Sequence, residues 1–336
     1  MKPNDSDPGN RTQKIGPSCA IVVASFRPGP SIHLCLRSLL AQVGTSAPEI
    51  IVVDSSGDGT AAQLRASFPT ITVIELSRQT RQAAARNIGV AHSRAQFIAF
   101  TDQDCVAPQD WLLQLLSWHG HGNYDAVGGA IGNGTPESAV GTASYLIEFN
   151  EFLPTGKPWL VEMIPHCNIC FRREVFTTVG PFIEAPSGAE DLLYNFFVRQ
   201  QGGRLLFDPS IVVTHLNRTD FYAFLRHQWE LGFGSAIARR MATLKGQPFV
   251  RYPLLAYSLP LVRLSRTFSR LLRHNRSALW RYLRLLPFLT PGYVRWTAGF
   301  LAGVHADFSL PQLNPRRSMT QSSDETGAVL QETHSL

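Results

Sequence analysis

Between residues 19 and 102 four short apolar runs recur, each stopped by a polar residue or a turn, with helix-like segments between them. The apolar parts of "SCAIVVASFRPG", "EIIVVDSSGDGT", "TITVIEL" and "FIAFTDQDC" are short and nearly continuous, the pattern of strands covered on both faces. In "SIHLCLRSLL" Ile32, Cys35, Leu36, Leu39 and Leu40 fall at i, i+3, i+4, i+7 and i+8, giving a helix one apolar face with Ser31 as its cap. The second run breaks into "SSGDGT", from which Asp58 or Thr60 starts a helix, and "RQTRQAAARNIGVAHS" consists of good helix formers. This alternation dictates an α/β fold, a doubly wound sheet flanked by helices with right-handed crossovers. Ligands of such sheets sit beyond the carboxyl ends of the strands, where Ser25, Arg27, Asp54, Asp102 and Asp104 all fall.

Beyond residue 125 the pattern is mixed. "AVGGAIG" and "CNICFRR" read as strands, "AEDLLYNFFVRQQGG" as a helix closed by glycine, "RLLFDPSIVVTHL" as two strands around a turn, and "DFYAFLRHQWELGFGSAIARRMA" as a long helix. Residues 1–17 and 311–336 are polar and read as disordered tails. The polar start lacks the apolar run of a secretory signal, so a cytoplasmic location is expected. Five cysteines, an odd count, then argue against a disulfide framework. Cys167 and Cys170 form a C-x-x-C without the second pair or spaced histidines that a zinc site needs.

The chemistry concentrates at Asp102 and Asp104. A D-x-D is common by chance, and Asp5 with Asp7 makes another in the polar start. The second pair differs in position: residues two apart on an extended segment point the same way, and two carboxylates held together call for a cation between them. Mg²⁺ and Mn²⁺ favour oxygen ligands and bind substrate phosphates as well, which implies a diphosphate-bearing substrate. A turn with an aspartate cap before the helix at Trp111 would use the same residues. Asp54 can accept hydrogen bonds from a base or ribose or cap its own turn, and Arg86 can reach a phosphate through its planar fork or lie solvated on a helix.

Taken in order, "AIVVASFRPG", "IIVVDSSGDGT", "AAARNIGVA", "FIAFTDQDC", "CNICFRREVFTTVGPF" and "GAEDLLYNFFVRQQGGRLLFDPSIVVTH" resemble glycosyltransferase family 2 from about residue 18 to about residue 235. The resemblance implies a GT-A fold with a mixed sheet and inverting transfer from a nucleoside-diphosphate sugar. It assigns Ala24, Ser25 and Arg27 to the first nucleotide-contacting loop, Asp54 to the base, Arg86 to the diphosphate, and Asp102 and Asp104 to the metal and nucleotide. Asp191 matches the catalytic base with Glu190 beside it, and His215 is a further candidate metal ligand. A base on the acceptor side would take the hydroxyl proton while a cation carries the charge on the leaving diphosphate. Acids in a helix's first turn are also favoured by the dipole alone. Two departures matter. Ser55 stands where many members have a second acid, and "RHQWELGFG" lacks the Q-x-x-R-W spacing of processive synthases, which favours one sugar per encounter. His215, His227 and Trp229 are candidate contacts for leaving group or acceptor, although a buried histidine or core tryptophan would serve packing equally well.

Charge divides the chain. Of 31 basic residues, twelve lie between Leu231 and Ala306, where there is no Asp or Glu; the other 19 face 25 acidic residues. Arg263, Arg266, Arg270 and Arg273 recur at helical spacing with Leu264, Phe268, Leu271 and Leu272 between them, and Pro260, Pro287 and Pro291 divide the segment. No uncharged span reaches eighteen residues, so an amphipathic helix on an anionic membrane surface is expected rather than a spanning one. A solvated basic face is the plainer alternative, and nucleic acid is not expected because no recognised motif accompanies the basic stretch. The expected organisation is an N-terminal tail (1–17), a catalytic domain (18–240), a basic amphipathic helical subdomain (241–310) and a C-terminal tail (311–336). The expected partners are a nucleoside-diphosphate sugar, Mg²⁺ or Mn²⁺, and a lipid-linked or envelope glycan acceptor at the inner face of the cell membrane. A nucleotidyltransferase is the enzymatic rival, but it would want a Gly-rich, basic loop after the first strand, and "SFRPGPS" is too short. The non-enzymatic rival is an adaptor for membrane or nucleic acid built on an inactive α/β domain.

Overall fold

The computed structural model describes residues 18–184, 188–274 and 276–307. Both expected tails lie outside the described residues, and none of the described helices is long and apolar enough to cross a membrane. β1 (Cys19–Ser25), α1 (Ser31–Leu40), β2 (Glu49–Asp54), α2 (Thr60–Ser67), β3 (Thr72–Glu75), α3 (Gln82–His92) and β4 (Phe97–Asp102) alternate as the sequence reads. Next come β5 (Cys105–Val106), α4 (Trp111–His121), β6 (Ala126–Asn133), α5 (Ala139–Phe149), β7 (Trp159–Val161), β8 (Ile169–Arg172), α6 (Glu174–Thr178), α7 (Glu190–Gln200) and β9 (Leu205–His215). The chain closes with α8 (Phe221–Met241), α9 (Gln247–Arg251), a 3₁₀ turn over Pro253–Ser258, α10 (Leu259–His274), α11 (Arg276–Arg284) and α12 (Leu286–His305).

The nine strands form one mixed sheet in the order β3-β2-β1-β4-β8-β6-β9-β5, with β7 added antiparallel to β9. β1 to β4 are parallel, and β8 runs antiparallel between β4 and β6. Register sets the site: Ser25 stands opposite Asp54, and Ala24 opposite Asp102, so these strand ends are level at the carboxyl rim. Alternation along β1 sends Ile21 and Val23 to the face covered by α1 and α4, and Ala20 and Val22 to the face covered by α3, α6 and α7. On the second face Phe100, Phe171, Phe176, Phe182 and Tyr194 pack edge to face and at a tilt, with Phe182 and Tyr194 4.2 Å apart between centroids.

Three local readings change. Ser31 is the first residue of α1 rather than its cap: Pro30 precedes it, and the Ser31 hydroxyl donates back to the Pro28 carbonyl. The expected strand pair at 204–216 is one continuous strand, β9, whose register against β6 shifts between Gly129 and Ala130. Pro209 cannot donate to the ladder, Asp208 Oδ1 accepts from both Ser210 N and its hydroxyl, and the extra residues are absorbed as a bulge. Gly129 admits that bulge, since a Cβ there would stand 1.9 Å from the Ile211 carbonyl oxygen. Pro291 lies within α12 rather than dividing the segment, because α12 is held along its length against α8.

That contact is close. A Cβ at Gly232 would lie 1.9 Å from the Trp296 carbonyl oxygen, and one at Gly299 2.0 Å from that of Trp229, so backbone meets backbone where the helices cross.

Candidate active site

The first loop is held by Asp54. Its Oδ1 accepts from the Ser25 and Ser56 hydroxyls, both at 2.7 Å, and its Oδ2 from Ser56 N at 3.3 Å. Arg27 N donates to the Ser56 hydroxyl at 2.8 Å, and Arg27 itself sits at φ +43°, a left-handed conformation rare for a long side chain. Phe26 pairs in both directions with Gln103, its N–H to Oε1 at 2.9 Å and Nε2 to its carbonyl at 3.2 Å. The loop after β1 is therefore fastened to the ends of both neighbouring strands. Asp54 is 1 % exposed and its oxygens are taken up within the chain, so its visible part is to shape this loop.

Arg86 lies at the centre of the rim. Its side chain is 2 % exposed; one guanidinium nitrogen donates to Asp191 Oδ1 at 2.7 Å and to Glu190 Oε1 at 3.3 Å, and the other to Asp102 Oδ1 at 3.0 Å. Burial alone would lower its pKa, but the three carboxylates outweigh burial and raise it. The buried guanidinium is committed to three acids and positions them.

Asp191 gathers further donors. His166 N donates to its Oδ2 at 2.8 Å, and His166 Nδ1 lies 2.9 Å from its Oδ1. Asn195 Nδ2 stands 3.0 Å from His166 Nε2 and also donates to the Asp191 carbonyl at 2.7 Å, which leaves the ring hydrogen on Nδ1, facing Asp191. Burial lowers the His166 pKa, so the ring is neutral. Against the upward push of burial, His166 and Arg86 hold the Asp191 carboxyl well below its ordinary range. Its neighbour behaves oppositely: burial and then the Asp191 charge push Glu190 up to about 7, against the pull of Arg86. Both begin α7, whose N-terminus favours negative charge.

The D-x-D acids part company. Asp102 turns to Arg86, and burial raises its carboxyl above the usual range despite that cation. Asp104 turns to His215, 3.5 Å from Nε2. β5 pairs with β9 so that Cys105 stands opposite His215, and Asp104, Cys105 and His215 are the group of potential metal ligands found among the described residues. His215 Nδ1 contacts Asn217 Oδ1 at 3.0 Å, which places the ring hydrogen there and leaves the Nε2 lone pair toward Asp104. Burial raises the Cys105 pKa, so its thiol stays protonated and the donors on offer are one carboxylate and one imidazole. The Asp104 oxygen suits Mn²⁺ or Mg²⁺, and the imidazole nitrogen beside it favours Mn²⁺ over the strictly oxygen-seeking Mg²⁺. Cys167 and Cys170 are buried, free thiols outside this group.

Among known proteins, residues 20–180 match the family model described as Glycosyl transferase family 2. That match, the relatives and the fold together support a family 2 glycosyltransferase. It is 26 % identical over 223 residues to "Glycosyltransferase AglE" of Haloferax volcanii, covering 65 % of this chain and 73 % of that protein. It is also 26 % identical over 198 residues to the "Pre-mycofactocin glycosyltransferase" of Mycobacterium tuberculosis, 51 % of this chain and 38 % of that one. Among solved structures the mannosyltransferase PcManGT of Pyrobaculum calidifontis, in complex with GDP-Man and Mn²⁺, superposes with a TM-score of 0.58 at 19 % identity over 90 % of this chain and 91 % of that one. That likeness is one of fold, and it agrees with the GT-A architecture read from the sequence. The nucleotidyltransferase and adaptor readings are set aside, and the protein is a glycosyltransferase.

In this glycosyltransferase the remaining candidates separate. His227 Nε2 lies 3.2 Å from Glu148 Oε2, and Trp229 stacks on Phe233 at 5.2 Å within α8. Burial would raise Glu148, but His227 outweighs it and holds the carboxyl at about 2, while His227 is raised by Glu148 in spite of burial. His215 also bears on Glu148, so this pair borders the Asp104–His215 corner. Gln103, Ser56, His166, Asn195 and Asn217 escaped the sequence reading; Gln103 and His166 have partners far away in the chain, whereas Ser56, Asn195 and Asn217 also bond residues two to four positions away. The one signal for His166 was "HCNIC", polar residues that are buried just before β8.

Proposed function

We propose that this glycosyltransferase transfers one sugar, with inversion and with Mn²⁺ or Mg²⁺, from a nucleoside diphosphate to a hydroxyl of a lipid-linked or cell-envelope glycan at the inner membrane face. The supporting observation is the division of acids at the rim: Asp104 with His215 on one side, and Asp191, kept ionised by Arg86 and His166, on the other. Asp104 and His215 would hold the cation, which when bound supplies positive charge to the departing diphosphate. Asp191 accepts the acceptor's hydroxyl proton as the bond to the sugar forms, and an acid already ionised at neutral pH is ready for that task. Ala24, Ser25 and the strained Arg27 line the nucleotide side, with Asp54 and Gln103 fixing the loop that carries them. Single displacement needs no second carboxylate as nucleophile, and Glu190, 8 % exposed, is turned to Arg86.

The test is titration of nucleoside diphosphates and their sugars into the full chain with Mn²⁺, with Mg²⁺ and with a chelator. One nucleotide should bind tightly only with the cation, and both Asp104→Ala and His215→Ala should weaken that binding at least tenfold. Binding indifferent to cation, or unchanged in both variants, removes metal from the reading.

A further inference from the structure

α10 presents its polarity opposite to the simplest membrane helix. Arg263, Thr267 and Arg270, at i, i+4 and i+7, face the protein: the Arg263 guanidinium lies 4.0 Å over the Trp296 ring, Thr267 bonds the Tyr293 hydroxyl, and Arg270 reaches Asn150 and Glu151. Burial lowers the Arg263 pKa to about 10, and the cation is seated on aromatic faces. The opposite face is apolar and open. Leu261 is 71 % exposed and Phe268 and Leu272 continue its line, while Leu254, at 83 %, and Tyr257 extend it into the preceding turn. On α11, Trp280 is 71 % exposed.

Isolated exposed leucines need no explanation, but a line of them with aromatics does. Its border tells which partner fits. Arg251, Arg266, Arg273 and Arg284 are exposed on α9, α10 and α11, Arg266 also meeting Glu151 at 3.5 Å, and no Asp or Glu occurs from Leu231 to Ala306. Apolar side chains at the centre, Tyr and Trp beside them and arginines at the margin match the layers of an anionic lipid surface, from acyl chains through the interface to headgroup phosphates.

We propose that the edge running from Leu254 through Tyr257 and Leu261 to Phe268, with Trp280, inserts into an anionic bilayer. The same helix grips Asn150 and Glu151 just beyond α5, one turn from Glu148 at the Asp104–His215 corner, so docking would set the candidate site beside the lipid surface. This deepens the reading of a lipid-linked acceptor, yet lipid binding is measured without the transfer reaction.

The experiment is co-sedimentation of the full chain with vesicles of phosphatidylglycerol and phosphatidylethanolamine, and with vesicles of phosphatidylcholine alone. The wild type should bind the anionic vesicles at least tenfold more tightly. The triple variant Leu254→Asp, Leu261→Asp, Phe268→Asp should lose at least tenfold of that affinity while keeping its melting temperature and its nucleotide binding with Mn²⁺. Arg266→Ala with Arg273→Ala should erase part of the preference for anionic lipid. Absence of wild-type binding, or equal binding by the triple variant, overturns the proposal. So does a wild-type dimer that the triple variant dissociates, which would make the edge a contact between copies. Failure of nucleotide binding in the wild type would sink the catalytic reading and leave the lipid result standing.

Discussion

Arg86 and Asp191, 105 residues apart in the chain, meet at 2.7 Å beneath the carboxyl rim of the sheet. The same guanidinium holds Asp102 at 3.0 Å, so one buried cation links the helix that carries the proposed base to the strand that carries the D-x-D. The two halves of the proposed reaction thus share a support.

Removing that support should be costly. Arg86→Met leaves Asp102, Glu190 and Asp191 facing one another without a counter-charge, with an expected loss of about 3–5 kcal/mol. Chemical denaturation would measure it, and Arg86→Lys, which keeps the charge but not the fork, should fall between. A variant as stable as wild type would show that the acids do not depend on Arg86.

Asp191→Asn should reduce transfer by about 10²–10⁴-fold and leave donor affinity within twofold, because the proposed proton acceptor is removed while the Asp104–His215 corner is untouched. His166→Ala, which takes away the neutral ring beside Asp191, should lower turnover with a smaller effect on donor binding. Single-turnover transfer and donor titration separate the two quantities.

Glu190 should make the fold less stable as the solution turns alkaline. Its carboxyl is raised in the folded state to about 7, so the native protein binds a proton that the unfolded chain releases at lower pH. Stability is lost as pH rises from the unfolded value through about 7. Glu190→Gln should therefore melt close to wild type at pH 5 and above it at pH 8, by on the order of 1–3 kcal/mol. Parallel melting curves with no pH dependence in the difference would contradict this.

The Glu148–His227 pair carries two opposed signs. His227 is raised, so its contribution is whole below the ordinary histidine range and fades as pH climbs through its folded value; Glu148 is held at about 2, so its contribution is whole above the ordinary glutamate range and fades toward that value. Both are complete from about pH 4.5 to 6.5. The melting difference between wild type and His227→Gln should peak there and shrink at pH 9. A difference that grows with pH would mean that the pair is not ionic.

The sheet was legible because its cues are local: apolar runs of strand length and turn residues fix β1 to β4 within a few positions, and the rim acids follow from where those strands stop. Asp102, Asp104, Glu190, Asp191 and His215 were all named in advance, and the fold draws them into two neighbouring clusters. Their pairing was not legible. Whether Asp102 turns to a cation or to Arg86 depends on α3 and α7 crossing the same face, a relation with no footprint in spacing. His166 and Gln103 were invisible for the same reason. α10 shows a third kind of limit, since helical periodicity separates an apolar face from a basic one but does not say which is turned inward. Trp296 and Glu151, brought from distant segments, settled that in favour of the arginines.

The crossing of α8 and α12 at Gly232 and Gly299 has a practical outcome for anyone wishing to graft this enzyme's preferences onto another. A polypeptide ended near residue 240 would expose bare backbone along α8 where Trp296 and Phe300 now lie, and a foreign C-terminal segment would need a side-chain-free notch in the same place to seat. Exchange of the C-terminal portion between relatives should succeed only when both helices travel together as one cassette.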